Sequence, residues 1–250
     1  MSDVESVARC TQLNIIQVNA QITRVPSLGQ IDVKRQRQQP DFAPKKLPAQ
    51  ARSQATFDAL VDSCTWLLPR LGYAGTTTNH IADRAGVNIA SLYEYFPGKD
   101  AIVAQVAERM VERVLSRLGE GANRVFEADP DDAVRLWIEI IYETVSREKD
   151  LVTVFTKEVP YTNDLPPIRD VGLRLLQFSQ AARDRAAGFV RRDFSKTSLH
   201  LLINLVTSTI LQVIHNPPKD VARRALLDEL ARRVEDWIRD PAHRRGRMPS

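Results

Sequence analysis

"IADRAGVNIASLYEYFPGKD", residues 81–100, places one glycine between two short apolar segments and follows them with two tyrosines and a lysine. Ile81 and Ala85 fall on one face of a short helix, which Thr77 or Thr78 can cap through a side-chain oxygen and which runs to about Arg84. Gly86 permits a sharp turn, Val87 returns to the core, and a third helix is expected over residues 88–95 with Leu92 and Phe96 inward. Ala82 has to be small where these helices cross. The spacing predicts a helix-turn-helix.

The outward face of the third helix then carries Asn88, Ile89, Ala90, Ser91, Tyr93, Glu94 and Tyr95. In a DNA-binding helix-turn-helix the second of the two helices enters the major groove N-terminus first, so small side chains there allow close approach. Ser91, Tyr93 and Tyr95 carry hydroxyls suited to phosphate oxygens, Asn88 can reach a base edge, and Ile89 or Ala90 can touch a thymine methyl. Lys99 opens the next helix, where a cation has the unfavourable sign for the helix dipole. A bound phosphate reverses that preference.

Upstream, Phe57, Leu60, Val61, Cys64, Leu67, Leu68 and Leu71 recur at three- and four-residue spacing and predict one long helix from Gln50, closed by Gly72 and bent by Pro69. Cys64 lies on its apolar stripe and reads as a small core residue. Residues 1–50 hold seven basic against four acidic residues, mostly in "KRQRQQPDFAPKK", with three prolines between 40 and 48. Residues 1–49 are therefore expected to be a flexible basic arm. Within it, Ile16, Val18, Ala20 and Ile22 alternate as a strand would, without a visible partner.

"GYAGTTTNHIADRAGVNIASLYEYFPGKDAIVAQV" resembles the DNA-binding segment of the TetR family of transcriptional regulators in its glycine-aromatic, threonine, isoleucine-alanine, alanine-glycine-valine, leucine-tyrosine-x-tyrosine-phenylalanine and lysine positions. The likeness covers roughly residues 50–110. It implies that Thr78 and Asn79 open the supporting helix near the DNA, that Asn88, Ile89 and Ala90 contact bases, and that Ser91, Tyr93, Tyr95 and Lys99 contact the backbone. Ala90 stands where the family often has glycine or proline. The resemblance also implies a variable C-terminal helical domain that binds a small-molecule effector and dimerises, and release of the operator on induction.

The remaining chain reads as amphipathic helices over 99–118, 131–147, 151–158, 167–191 (Val171, Leu175, Phe178, Ala182), 197–214 and 219–239. The expected fold is all-α, with a three-helix DNA-binding domain at 50–98, a helical effector-binding and dimerisation domain at 99–240 and a basic tail at 241–250. Residues 197–214 are apolar nearly all round, and 219–239 carry Leu226, Leu230, Val234 and Trp237 on one stripe. Two such helices from each of two chains would form a four-helix bundle, and the two-fold axis would demand a palindromic double-stranded operator. Trp137, Tyr142, Phe155, Tyr161 and Phe178 are candidates to line an effector pocket or to be plain core, and no ligand-binding residue can be assigned.

No phosphate-cradling glycine loop, G-x-S-x-G elbow or H-E-x-x-H occurs, and the four histidines have no metal-site spacing, so no enzyme, cofactor or metal is expected. His200, on an apolar helix, reads as a satisfied core residue. Acidic residues such as Glu108 are expected to pair with arginines on their own helix. Two distant cysteines, no export signal and no apolar run of membrane-spanning length point to a cytoplasmic protein without a membrane partner. Residues 51–99 balance four basic against four acidic side chains, which supports a second reading: a helical small-molecule or protein-binding module that kept the fold without operator binding.

Overall fold

The computed structural model describes residues 41–175, 177 and 195–239. The alternating 16–22 stretch, Phe178, Ala182 and the 241–250 tail fall outside these residues. All elements among the described residues are helical.

Helix α1 (Ala51–Gly75) buries Phe57, Leu60, Val61, Cys64, Leu67 and Leu68 of the stripe its periodicity predicts, but Leu71, beside the break at Gly72, is exposed. Burial pushes the Cys64 thiol up to about 12, so it is an inert core group. Pro69 lies inside the helix, and Gly72, at φ +69°, breaks it before one further turn. α2 (Thr78–Ala85) and α3 (Ile89–Tyr95) follow, joined at Gly86, whose φ of +67° is the left-handed geometry that favours glycine. After α4 (Lys99–Glu127) come α5 (Pro130–Arg147), α6 (Lys149–Lys157), a 3-10 turn (Thr162–Asp164), α7 (Pro166–Arg169), α8 (Lys196–His215) and α9 (Arg223–Ile238).

α4 runs past the expected end at Leu118 because the glycines beyond it do not stop the helix. Gly121 is needed for space: a Cβ there would lie 2.5 Å from Cγ2 of buried Ile140 on α5. Gly121→Ala is expected to destabilise the fold, since overpacking of about 1–3 kcal/mol exceeds the helix-propensity gain of about 1 kcal/mol. Thermal melts of Gly121→Ala, Ile140→Ala and the double variant check this: Ile140→Ala removes the clashing Cγ2, so the double variant should lose less than the two single losses added together.

Two apolar cores result. The first joins α1–α3 to the N-terminal half of α4 and to Leu151, Val154, Phe155, Tyr161 and Leu165; the second joins Val134 and Ile138 of α5 to Val206 and Ile210 of α8 and Leu227, Ala231 and Val234 of α9. Residue 98 is therefore no core boundary. The helix-turn-helix unit shares its interior with α6 and the turn that follows, and Phe155 and Tyr161 belong to that interior.

Two sequence expectations need correction. Residues 41–49 are not part of a free arm: Phe42 packs on the first core, and Lys45 bonds to the end of α3. Composition averaged over the segment hid its one aromatic anchor. The expected pairing of acids with arginines along one helix holds on α9, where Arg224 meets Asp228 and Arg233 meets Glu229, but not for Glu108 and the α4 arginines. Arg109 reaches Asp58 and Asp62 on α1, Arg113 and Arg117 hold Glu148, and Glu108 takes Arg174.

α8 also departs from the reading. It is long and apolar enough to cross a membrane by length and composition alone, with a mean hydropathy of 1.5 over its apolar window. Core helices of soluble proteins pass the same test, and Leu199, Val206, Ile210 and Val213 of α8 are buried. His200 is exposed on this helix, not in the core. The α9 stripe is covered within the chain, with Leu227, Ala231 and Val234 buried and Leu230 packed beside them. The exposed apolar surface of this pair belongs to α8, where Leu201 and Leu205 are 50% and 55% exposed.

Candidate nucleic-acid interface

The site is built on the two ends of the helix-turn-helix. Thr77 caps α2 by accepting from the His80 N–H, and Thr78 Oγ1 lies 3.2 Å from the Tyr93 hydroxyl, tying the start of α2 to the exposed side of α3. Asn79 is exposed beside it. Asn88 is the N-cap of α3, its Oδ1 accepting from the Ala90 N–H at 2.8 Å. That bond engages the carbonyl oxygen and leaves the Asn88 amide with its donors for a base acceptor.

Along α3, Asn88, Ala90, Tyr93 and Glu94 are exposed, and Ser91 is half-buried. Leu92 and Phe96 are fully buried, as the pattern predicts. Ile89 is half-buried and packs on the first core, so the freely presented small apolar group is Ala90. Tyr95 departs from the expectation of an outward phosphate ligand. It is 7% exposed, with its ring edge-on to Phe57 at 6.1 Å, because at this position the helix has turned back to the core.

Lys99 is half-buried at the start of α4. Its Nζ donates to the Tyr73 carbonyl at 2.7 Å and lies 3.8 Å above the Tyr73 ring. Burial lowers its pKa, against the opposing charge of Asp100. One of three ammonium donors is thus fixed by protein and holds the group in place.

Several supporting residues were invisible to local pattern. Asp100 Oδ1 accepts from both Tyr73, at 2.7 Å, and Tyr161, at 2.5 Å. Burial is the main cause that pushes the Tyr73 hydroxyl up to about 12, and it raises Tyr161 as well. Glu158, at the end of α6, accepts from the Tyr73 N–H at 2.9 Å. These partners lie 27 to 85 residues apart, beyond any helical periodicity. Arg109 matters electrostatically: by pairing with Asp58 and Asp62 it offsets the acidic side of a unit that the sequence alone balances to zero.

Residues 67–106, from the last turns of α1 through the first turns of α4, match the model for bacterial regulatory proteins of the tetR family. Over that stretch the chain is similar to this family, and the match spans the helix-turn-helix and the turns on either side of it. Among curated proteins it is similar to YuxN, an uncharacterised HTH-type transcriptional regulator of Bacillus subtilis, at 22% identity over 189 residues, 74% of this chain. The chain spans about 64% of the length of that relative. Among solved structures the TetR-type fold is shared with a TetR-family regulator of Mesorhizobium loti, at TM-score 0.60 and 14% identity over 75% of this chain and 97% of that one. It is shared too with the fatty acid degradation regulator FadR of Bacillus halodurans, at TM-score 0.57 and 16% identity over 76% and 97%.

Proposed function

We propose that this chain is a TetR-family regulator, a homodimeric cytoplasmic repressor that holds a palindromic operator until a small-molecule effector releases it. The observation that carries the reading is the exposed row Asn88, Ala90 and Tyr93 on a seven-residue helix whose other face is fully packed. The Asn88 cap and the Thr78–Tyr93 tie account for part of this row, but a small Ala90 left exposed between polar tips suits the close approach of a major groove. Asn88 and Ala90 are assigned to base edges, with Ile89 behind them, and Thr78, Asn79, Ser91, Tyr93 and Lys99 to the backbone. Tyr95 is withdrawn from that set.

Dimerisation places two copies of α3 on successive major grooves, through the exposed stripe of α8. An effector acts by tilting α4, which begins at the DNA-side lysine and ends against α5. The polar groove of about 960 Å³ between α5 and α9, lined in part by Arg135, Glu139, Tyr142 and Arg223, is open and amphiphilic. It supports no assignment of the effector.

The test is selection of duplexes from a random library, followed by salt titration. Lys99→Ala should flatten the dependence of log affinity on log salt by about one contact. Tyr93→Phe removes a neutral contact, so it should weaken all duplexes alike, by about 1 kcal/mol, at unchanged slope. A change of preferred sequence in either variant would contradict these roles. Binding with no salt dependence, or none at all, would favour the module that has lost its operator.

A further inference from the structure

α3 is only seven residues long, so its last carbonyls lack partners within the helix. Leu92 O accepts from the Phe96 N–H, but Tyr93 and Tyr95 find their donors elsewhere. Both come from Lys45, 48 residues upstream of Tyr93: its backbone N–H donates to Tyr95 O at 2.7 Å and its Nζ to Tyr93 O at 3.2 Å. A cation here also has the favourable sign for a helix C-terminus. Lys45 thus caps the recognition helix from outside the helix-turn-helix.

Three residues earlier, Phe42 packs its ring 5.1 Å from that of Tyr161, in the turn that follows α6. Little slack separates these two anchors. The Ala43 N–H is held by Asp41 Oδ1 at 3.1 Å, and Pro44 fixes its own φ. Tyr161 itself is fixed on Asp100 and lies edge-on to Tyr73 at 5.7 Å.

We propose that residues 42–45 form a positioning strap, in which Lys45 sets the pose of the recognition helix and Phe42 ties that pose to Tyr161 in the helical half beyond α4. Movement of the turn after α6 is then felt at the carbonyls of Tyr93 and Tyr95 without passing along α4. The strap itself stands on these contacts, and only its effect on DNA rests on the operator reading.

Hydrogen exchange on the full chain tests it first. Phe42→Ala and Lys45→Pro should each speed exchange of amides in residues 89–96 by about fivefold to tenfold, the worth of roughly one hydrogen bond. Amides of the buried α1 stripe should be unchanged, and Lys45→Arg should behave as wild type. On a duplex selected by the wild-type chain, the two disruptive variants should lose affinity by a similar factor at an unchanged thermal midpoint. Unaltered α3 exchange in Lys45→Pro would overturn the strap, and faster exchange in Lys45→Pro with none in Phe42→Ala would overturn the tie to Tyr161. Should Phe42→Ala lower the midpoint of the whole protein, Phe42→Leu, which keeps an apolar side chain on the core but removes the ring contact, takes its place under the same criteria. If the wild-type chain selects no duplex, the operator reading fails and exchange alone decides the strap.

Discussion

A Leu205→Glu chain should stay folded, sediment as a monomer and lose about 10²- to 10⁴-fold in affinity for a palindromic duplex, the range that linking two binding modules confers. The site was chosen because Leu205 is 55% exposed in the single chain. A charge there costs the protomer little, as surface substitutions usually do. Leu230, which lies on the stripe that sequence periodicity would nominate, is a poorer choice: it packs on the second core and would damage the protomer itself. Leu201 and Leu205 lie one turn apart on the outer face of α8, and Ser208 and Gln212 continue the exposed row at three- and four-residue spacing. That is the seam a two-fold related copy can fill. Sedimentation of both proteins, with binding to a full palindrome and to a half-site, checks the expectation. Equal affinity for half-site and palindrome in the wild type would count against a dimeric reader.

Glu148→Ala should destabilise the fold by about 3 kcal/mol, the low end for removing one partner of a buried ion pair. The Glu148 side chain is 7% exposed and receives Nε and Nη2 of Arg113 and Nη1 of Arg117, all at 2.8–2.9 Å. The arginines are themselves about a third exposed, which keeps the loss near the low end. The residue sits where α5 meets α6, so its clamp holds α4 to that corner. Burial on its own raises the carboxyl's pKa, but the hydrogen bonds and charges of Arg113 and Arg117 outweigh it and hold the value below the ordinary one. A depressed carboxylate contributes stability that is fully present above its unfolded pKa and is lost as pH falls through the folded one. Wild-type stability should therefore fall below about pH 4.3, and in Glu148→Ala that part of the acid dependence should be missing. Urea melts from pH 3 to 7 measure both.

The helix-turn-helix was legible because its signals are local. Gly86 at a left-handed turn, Leu92 and Phe96 on one face, and Thr77 at a cap are all set within a few residues of their partners. What the sequence hid was tertiary. The outward reading groups Tyr95 with Tyr93, yet Tyr95 stands three residues from buried Leu92 and shares its face, where the edge of Phe57, 38 residues away, claims its ring. Arg109, Arg113 and Glu108 have partners available on their own helix and take others across the fold, because burial between helices favours the distant carboxylates. Phe42 was lost in a segment rich in proline and charge, where composition outweighs a single aromatic side chain.

The most direct test of the central claim is selection of duplexes by the full-length chain from a random library, followed by footprinting of what is retained. The account predicts one enriched palindrome, protected over two half-sites about one helical turn or a multiple apart, and bound by two chains with strongly salt-dependent affinity. Enrichment of no sequence at low salt, or a monomer binding the whole palindrome at full affinity, would contradict it.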